Sequence, residues 1–224
     1  MNTPPREILT IDTCIFINYN MNTDRMLELL QPLIEQECKF ILSEITVKEL
    51  NKHYELPYVA MSKSIKCIQS NLPLFSDNQD IMNKFTDFTE SLLKEKVSNN
   101  PLDKFIKTTK TEIIPYENVT LRSIMESYFG TDLPFHSKKK AEFPDAVAIY
   151  SLDQWLTDFN AQINPPQSDT IHQSNPTVPN PIVKINAISS DSDWNLFSEK
   201  FPNRWMCYKS IEMAVKQMTQ MRHK

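Results

Sequence analysis

Glycine is almost missing from this chain: of its 224 residues, Gly130 alone is a glycine. A phosphate cradle of the G-x-x-x-x-G-K-[ST] type, or a G-x-G-x-x-G dinucleotide turn, needs several glycines to bring backbone N–H groups against phosphate. Both are excluded, and with them the two commonest nucleotide-binding α/β classes. Cysteine is sparse too. Cys14, Cys38, Cys67 and Cys207 are widely spaced and form no C-x-x-C pair. They read as free thiols of a reducing compartment. His53, His136, His172 and His223 show no H-x-x-x-H spacing, which argues against zinc. No apolar run reaches the ~18 residues of a membrane span. The polar start, Met1-Asn2-Thr3-Pro4-Pro5-Arg6, does not read as a signal peptide. The expected setting is cytoplasmic, with no membrane partner. No internal repeat is visible.

What is present is the composition of a soluble globular protein, 40% hydrophobic and 23% charged. The length suits one α/β domain carrying an insertion. The net charge of −4 argues mildly against nucleic-acid binding. That argument weakens if the acids are clustered around cations.

Glu7 to Asp12 is a largely β-branched run that reads as a central, parallel, buried strand. Asp12-Thr13 stands at its carboxyl end, where open α/β sheets bind ligands. Asp12 either caps the following turn or serves a site. Asp24 to Gln36 has helical spacing, with Pro32 expected to kink or divide it. Lys39 to Leu42 reads as a second strand, and Ser43 caps the helix after it. Glu49 in that helix either completes a capping box with Thr46 or points toward Asp12. A helical insertion is expected over about 57–112, with helices at Tyr58–Ser70 and Asp80–Glu95. Lys104, Lys107 and Lys110 recur every three residues and form either a solvated face or a phosphate-contacting one.

Glu112 to Tyr116 is a short extended piece. A helix over Thr120–Tyr128 should end at Gly130. Lys138-Lys139-Lys140 then precedes Glu142-Phe143-Pro144-Asp145, where an apolar helix begins. Residues 164–181 form a Pro-rich surface loop within the domain rather than a boundary. Ile182 to Ser189 is a strand ending in Ser190-Asp191-Ser192-Asp193, and a short helix spans Asn195–Lys200. Trp205 to Tyr208 reads as an edge strand, and Ser210 caps a last helix, Ile211–Met221. Strands alternating with helices imply a mostly parallel sheet covered on both faces.

Asp12 and Asp191 thus end strands, Glu49 follows one, and Asp145 opens a helix. Strand ends on one edge of such a sheet converge. Carboxylates crowded there repel unless a cation joins them. Hard oxygen ligands suit Mg²⁺ or Mn²⁺, and two such ions about 4 Å apart serve phosphodiester hydrolysis. On the residues alone two readings stay open: Asp145 caps the helix it opens, or the acids meet for metal-dependent phosphoryl chemistry.

Four stretches carry a family resemblance: Ile11-Asp12-Thr13-Cys14-Ile15-Phe16-Ile17, Val47-Lys48-Glu49-Leu50, Glu142-Phe143-Pro144-Asp145-Ala146, and Ser189-Ser190-Asp191-Ser192-Asp193-Trp194. In that order they resemble the four acidic motifs of a PIN domain. Phe129-Gly130, Leu133-Pro134-Phe135 and the lysine triplet resemble the bacterial branch with a helical insertion before the third motif. The resemblance implies a three-layer α/β fold around a mostly parallel sheet of about five strands, as one domain over 1–224. It implies an endoribonuclease cleaving single-stranded RNA with two Mg²⁺ or Mn²⁺ ions. Asp12, Glu49, Asp145 and Asp191 would be the catalytic, metal-binding acids, and Asp193 and Glu142 further ligands. Thr13 would hold Asp12 or a metal-bound water, and Ser189 would support the site. Lys138, Lys139 and Lys140, with Lys104 and Lys107, would hold flanking phosphates. An antitoxin or defence-system protein is an expected partner, and a homodimer an expected assembly. The alternatives are a catalytically silent protein- or RNA-binding module and a structure-selective DNA nuclease of the same fold.

Overall fold

The structure is a computed structural model that describes residues 7–72, 79–98, 100–130, 132–135, 143–165 and 182–221. Five strands, β1 (Ile8–Ile11), β2 (Lys39–Ser43), β3 (Glu112–Ile114), β4 (Ile185–Ile188) and β5 (Trp205–Tyr208), form one sheet in the order β3-β2-β1-β4-β5. Every pairing is parallel. β1 is central and fully buried, and is apolar but for Thr10, as suits a strand covered on both faces. The chain builds outward from β1 through β2 to β3, then crosses back to lay β4 on the other side of β1. The reversal makes the β1–β4 seam the switch point at which open α/β sheets gather their ligands.

Nine helices surround the sheet in the described residues: α1 (Thr13–Asn18), α2 (Thr23–Glu35), α3 (Glu44–Asn71), α4 (Gln79–Ser98), α5 (Pro101–Thr109), α6 (Leu121–Gly130), α7 (Phe143–Ile163), α8 (Ser192–Lys200) and α9 (Ile211–Met221). Side chains alternate across a strand, and β1 shows it. Leu9 and Ile11 enter a core with Leu30 of α2, Phe105 of α5 and Ile211 of α9. Ile8 enters the opposite core with Leu152 of α7, Trp194 of α8 and Trp205. The result is the expected three layers. Among the described residues no helix is long and apolar enough to cross a membrane.

Several local expectations change. α2 runs unbroken through Pro32, and α3 runs 28 residues through Pro57. A proline removes one intrahelical hydrogen bond. Pro57 and His53, whose carbonyl loses that bond, are both exposed, so water can replace it. The helical excursion therefore begins inside α3, with no boundary at 57. Gly130 is the last residue of α6 but has no positive φ; the left-handed cap belongs to Lys110 (φ 53) after α5. β4 starts at Ile185 rather than Ile182. Before it, the Asn160 side chain bonds both N–H and C=O of Val183, at 2.9 and 3.0 Å, in place of a neighbouring strand.

Phe105 is fully buried edge-on against Phe16, their ring centroids 5.2 Å apart. Phe105→Ala should cost about 3–5 kcal/mol in urea unfolding. Leu121→Ala, at a position 71% exposed, should change stability by no more than about 0.5 kcal/mol.

Candidate active site

The site is built where β1 and β4 end. Asp12 N donates to Ile188 O at 3.0 Å, the last backbone link between those strands. Asp12 then takes the N-cap position of α1, but its side chain makes no capping bond. Its carboxylate instead accepts from the Ser189 hydroxyl, Oγ to Oδ2, at 2.7 Å. The same Oγ accepts from Asp191 N at 3.0 Å. Ser189 thus couples the end of β1 to the end of β4.

Asp191 does cap a helix. Its Oδ1 accepts from Asp193 N at 2.8 Å at the start of α8, and its carbonyl accepts from Asn195 Nδ2 at 2.6 Å. Asp193 is only 1% exposed, so the fourth motif carries one half-buried capping acid and one fully buried acid.

Glu49 joins from the other side of β1. The Thr13 hydroxyl donates to Glu49 Oε2 at 2.8 Å. The Thr13 hydroxyl therefore holds Glu49 rather than Asp12, which takes a backbone hydrogen bond from Thr13 and the side-chain hydroxyl of Ser189. The Thr46–Glu49 capping box does not carry this helix start; Ser43 does, accepting from Ile45 N at 3.3 Å.

Asp145 lies in the first turn of α7, with Pro144 beside it where a missing N–H costs nothing. Asp145, Ile149, Leu152 and Leu156 are spaced four, three and four apart, one helical stripe, and the last three are buried. Asp145 therefore extends the sheet-facing stripe. Ser151 Oγ lies 3.1 Å from Ser43 Oγ, pinning α7 to the carboxyl end of β2. At 1.5 Å per residue, Asp145 stands about 9 Å further along the helix, beyond the same edge.

Cys14 was not foreseen here. Its Sγ lies 3.6 Å from Ser189 Oγ and accepts from Ser190 N at 3.4 Å. An apolar-looking residue two places after Asp12 gave no signal of this. Burial pushes the Asp12 carboxyl above its ordinary range. Hydrogen bonds from Cys14 and Ser189 draw it back in part, and the charge of Asp191 adds to the rise.

Other expected residues fall elsewhere. Lys104 pairs with Asp24 at 2.7 Å. Lys110 borders a cavity with Lys39 and Phe40, at the amino edge of the sheet, opposite the acids. Lys107, exposed in the last turn of α5, leads toward that same edge. Lys138, Lys139, Lys140 and Glu142 lie outside the described residues. Among the described residues no three His, Cys, Asp or Glu side chains stand close enough to enclose a metal ion. Ser189 links Asp12 to Asp191, Thr13 holds Glu49 separately, and no closed cage of acids forms among the described residues.

Fold and site define an α/β protein with carboxylates gathered at the switch point of a parallel sheet. A family model described as PIN domain matches residues 9–164, more than half of the chain, and the chain belongs to the PIN-domain family. Its fold is accordingly of the nuclease type. The match includes Asp12, Glu49 and Asp145 and ends before β4. No curated protein and no solved structure matches the chain.

The raised Asp12 pKa has a stability consequence. The native state holds this proton more tightly than the unfolded chain, so the contribution is full below 3.8 and lost as pH rises through the native value. Without divalent ions, Asp12→Asn should therefore melt above the parent at neutral pH. The gain should shrink as pH falls toward 3.8. Melting curves across that range in chelator check it; a gain that grows in acid contradicts it.

Proposed function

We propose that this chain is a Mg²⁺- or Mn²⁺-dependent endoribonuclease acting on single-stranded RNA. The observation that carries the reading is the Ser189 hydroxyl, which bonds Asp12 and Asp191 N together at the switch point. The donor set fits hard divalent ions: Asp12, Glu49, Asp145 and Asp191 offer only carboxylate oxygens. Burial and the nearby charge of Asp191 disfavour ionised Asp12, a penalty a cation relieves. Divalent ions bound there supply an activated water and positive charge near the departing oxygen.

The chain's own residues do the positioning. Ser189 fixes the orientation of Asp12. Thr13 fixes that of Glu49. Asp191 is anchored by its cap, leaving its position set by α8. Asp193 and Glu142 are further ligands in this reading. Lys138, Lys139 and Lys140 hold phosphates flanking the scissile bond. The setting we assign is a cytoplasmic toxin or phage-defence effector held by an antitoxin or defence-system protein. Family membership alone supports that last part.

A labelled single-stranded RNA and a DNA of matched sequence, each with Mn²⁺, test the reading. RNA should be cut and DNA spared. Asp12→Asn, Asp145→Asn and Asp191→Asn should each lose roughly 100-fold or more with unchanged circular dichroism, as expected of groups that act in the transition state. Full activity of Asp12→Asn and Asp145→Asn would sink the proposal, and a chain whose melting ignores Mn²⁺ would be a silent module. Ser189→Ala, which removes only the positioning hydroxyl, should lose about 10–100-fold.

A further inference from the structure

α6 carries an aromatic ring that the core does not use. Phe129, in the last turn of the helix, is 74% exposed, although aromatic side chains gain most from burial. It stands edge-to-face with Tyr128, ring centroids 5.3 Å apart, and Tyr128 meets Phe143 at 5.1 Å. Phe143 opens α7 two residues before Asp145. Two ring-to-ring steps thus lead from Phe129 to the helix start that carries an acid of the site. On a nucleic-acid strand that span is about three stacked nucleotides at ~3.4 Å each.

The ring sits on a fixed mount. The Tyr150 hydroxyl lies 2.7 Å from Ser127 Oγ and 2.8 Å from Leu133 O, tying the end of α6 to α7. Ile124 of α6 and Ala146 of α7 share a small core. A ring held this way loses little freedom when a ligand stacks on it. The same wall begins at the 3-10 turn Tyr116–Asn118, which packs against α7 and is followed by Val119 in that core. Lys48 Nζ stands 4.4 Å from the centre of the Tyr116 ring and donates to its hydroxyl at 3.1 Å. Lys48 immediately precedes Glu49 on α3. Its side chain is 54% exposed and pairs with Glu44 at 2.9 Å. An exposed pair of this kind holds its ammonium weakly, so a phosphate can share it.

An exposed ring and an exposed cation, both flanking the acids, are the two parts from which single-strand nucleic-acid sites are built. Resting on the nuclease reading above, we propose that Phe129 and Lys48 hold the substrate strand beside the acids, Phe129 stacking on a base and Lys48 meeting a phosphate. Every base has a face to offer, and stacking reads no base edge, so the subsite accepts any base. It refuses a duplex, because a paired base is already stacked between its neighbours and must be unstacked before it can reach a protein ring. Selection for a single strand then comes from Phe129, and sequence tolerance comes with it.

Binding and cleavage of one labelled single-stranded RNA by the full chain test this separately. Fluorescence anisotropy with Ca²⁺, which takes the same carboxylate oxygens, reads the subsite without reference to cleavage. Phe129→Ala should weaken binding about tenfold or more, and Phe129→Trp should keep parental affinity. Lys48→Met should reduce the slope of log affinity against log salt by about 0.7, a change Phe129→Ala does not make. Leu121→Ala, as exposed on the same helix, should bind like the parent. Abasic nucleotides placed along the RNA one at a time supply the other half of the test. At one position the missing base should weaken binding to the parent and make no further difference to Phe129→Ala, which a ring with only a structural role does not produce. RNA bound in this pattern yet uncut with Mn²⁺ supports the subsite and removes the nuclease reading. RNA cut and bound alike by the parent and Phe129→Ala overturns the subsite, leaves the nuclease, and marks the ring as a contact for a protein. A parent that binds no RNA at about 100 μM overturns both.

Discussion

Where β1 and β4 stop, the backbone ladder stops with them, and side chains must take over. Asp12 N makes the last link to Ile188 O at 3.0 Å. One step further the chains would diverge into α1 and toward α8. There the Ser189 hydroxyl still ties them, donating to Asp12 and accepting from Asp191 N. A carboxylate that is only 3% exposed needs such a partner, because a buried acid without hydrogen bonds is expensive. The position of Asp12, the entry angle of α1 and the cap of α8 all follow from this junction.

The remaining acids reach the same edge by independent routes. Glu49 comes from the first turns of α3 and is fixed through Thr13. Asp145 comes from the top of α7, which is fixed through Ser43 and Ser151. None of these anchors is a charge. Small hydroxyls do the fixing, which suits a place where carboxylates would otherwise repel one another. Such a site is organised by the chain itself, and among the described residues its acids do not close into a cage.

Much of this was legible beforehand for a physical reason. β1 is a buried run, apolar but for Thr10, followed directly by an acid, which suits a central parallel strand. The parallel sheet, its edge strand at Trp205–Tyr208 and the last helix follow from equally plain signals. What was not legible depends on partners distant in sequence. Nothing in Thr13 announces Glu49 rather than Asp12, since the choice is made by how α3 leans on α1. Cys14 looks like a core residue until Ser189 and Ser190 are folded against it. Pro32 and Pro57 signal breaks that do not occur, because neighbouring turns carry a helix across one lost bond. The α5 lysines have the right spacing for a phosphate comb, and only the tertiary fold reveals that Lys104 is paired and Lys110 is at the wrong edge.

α3 also behaves as a lever with very unequal arms. It is one continuous rod of 28 residues, seated in the domain at Thr46, Leu50 and Tyr54. Glu49 sits within that seat, one residue from Leu50, while Ile68 rides about 27 Å out along the axis. A rigid rod pivoting at its seat moves its far end most and its fulcrum least. Bending or loading of its outer turns is therefore divided down, by roughly an order of magnitude on these lengths, before it reaches Glu49. Rotation about the long axis is different, because it is not diminished by distance and would swing the Glu49 side chain directly away from Thr13. The geometry shields the carboxylate from tilt and leaves it open to twist.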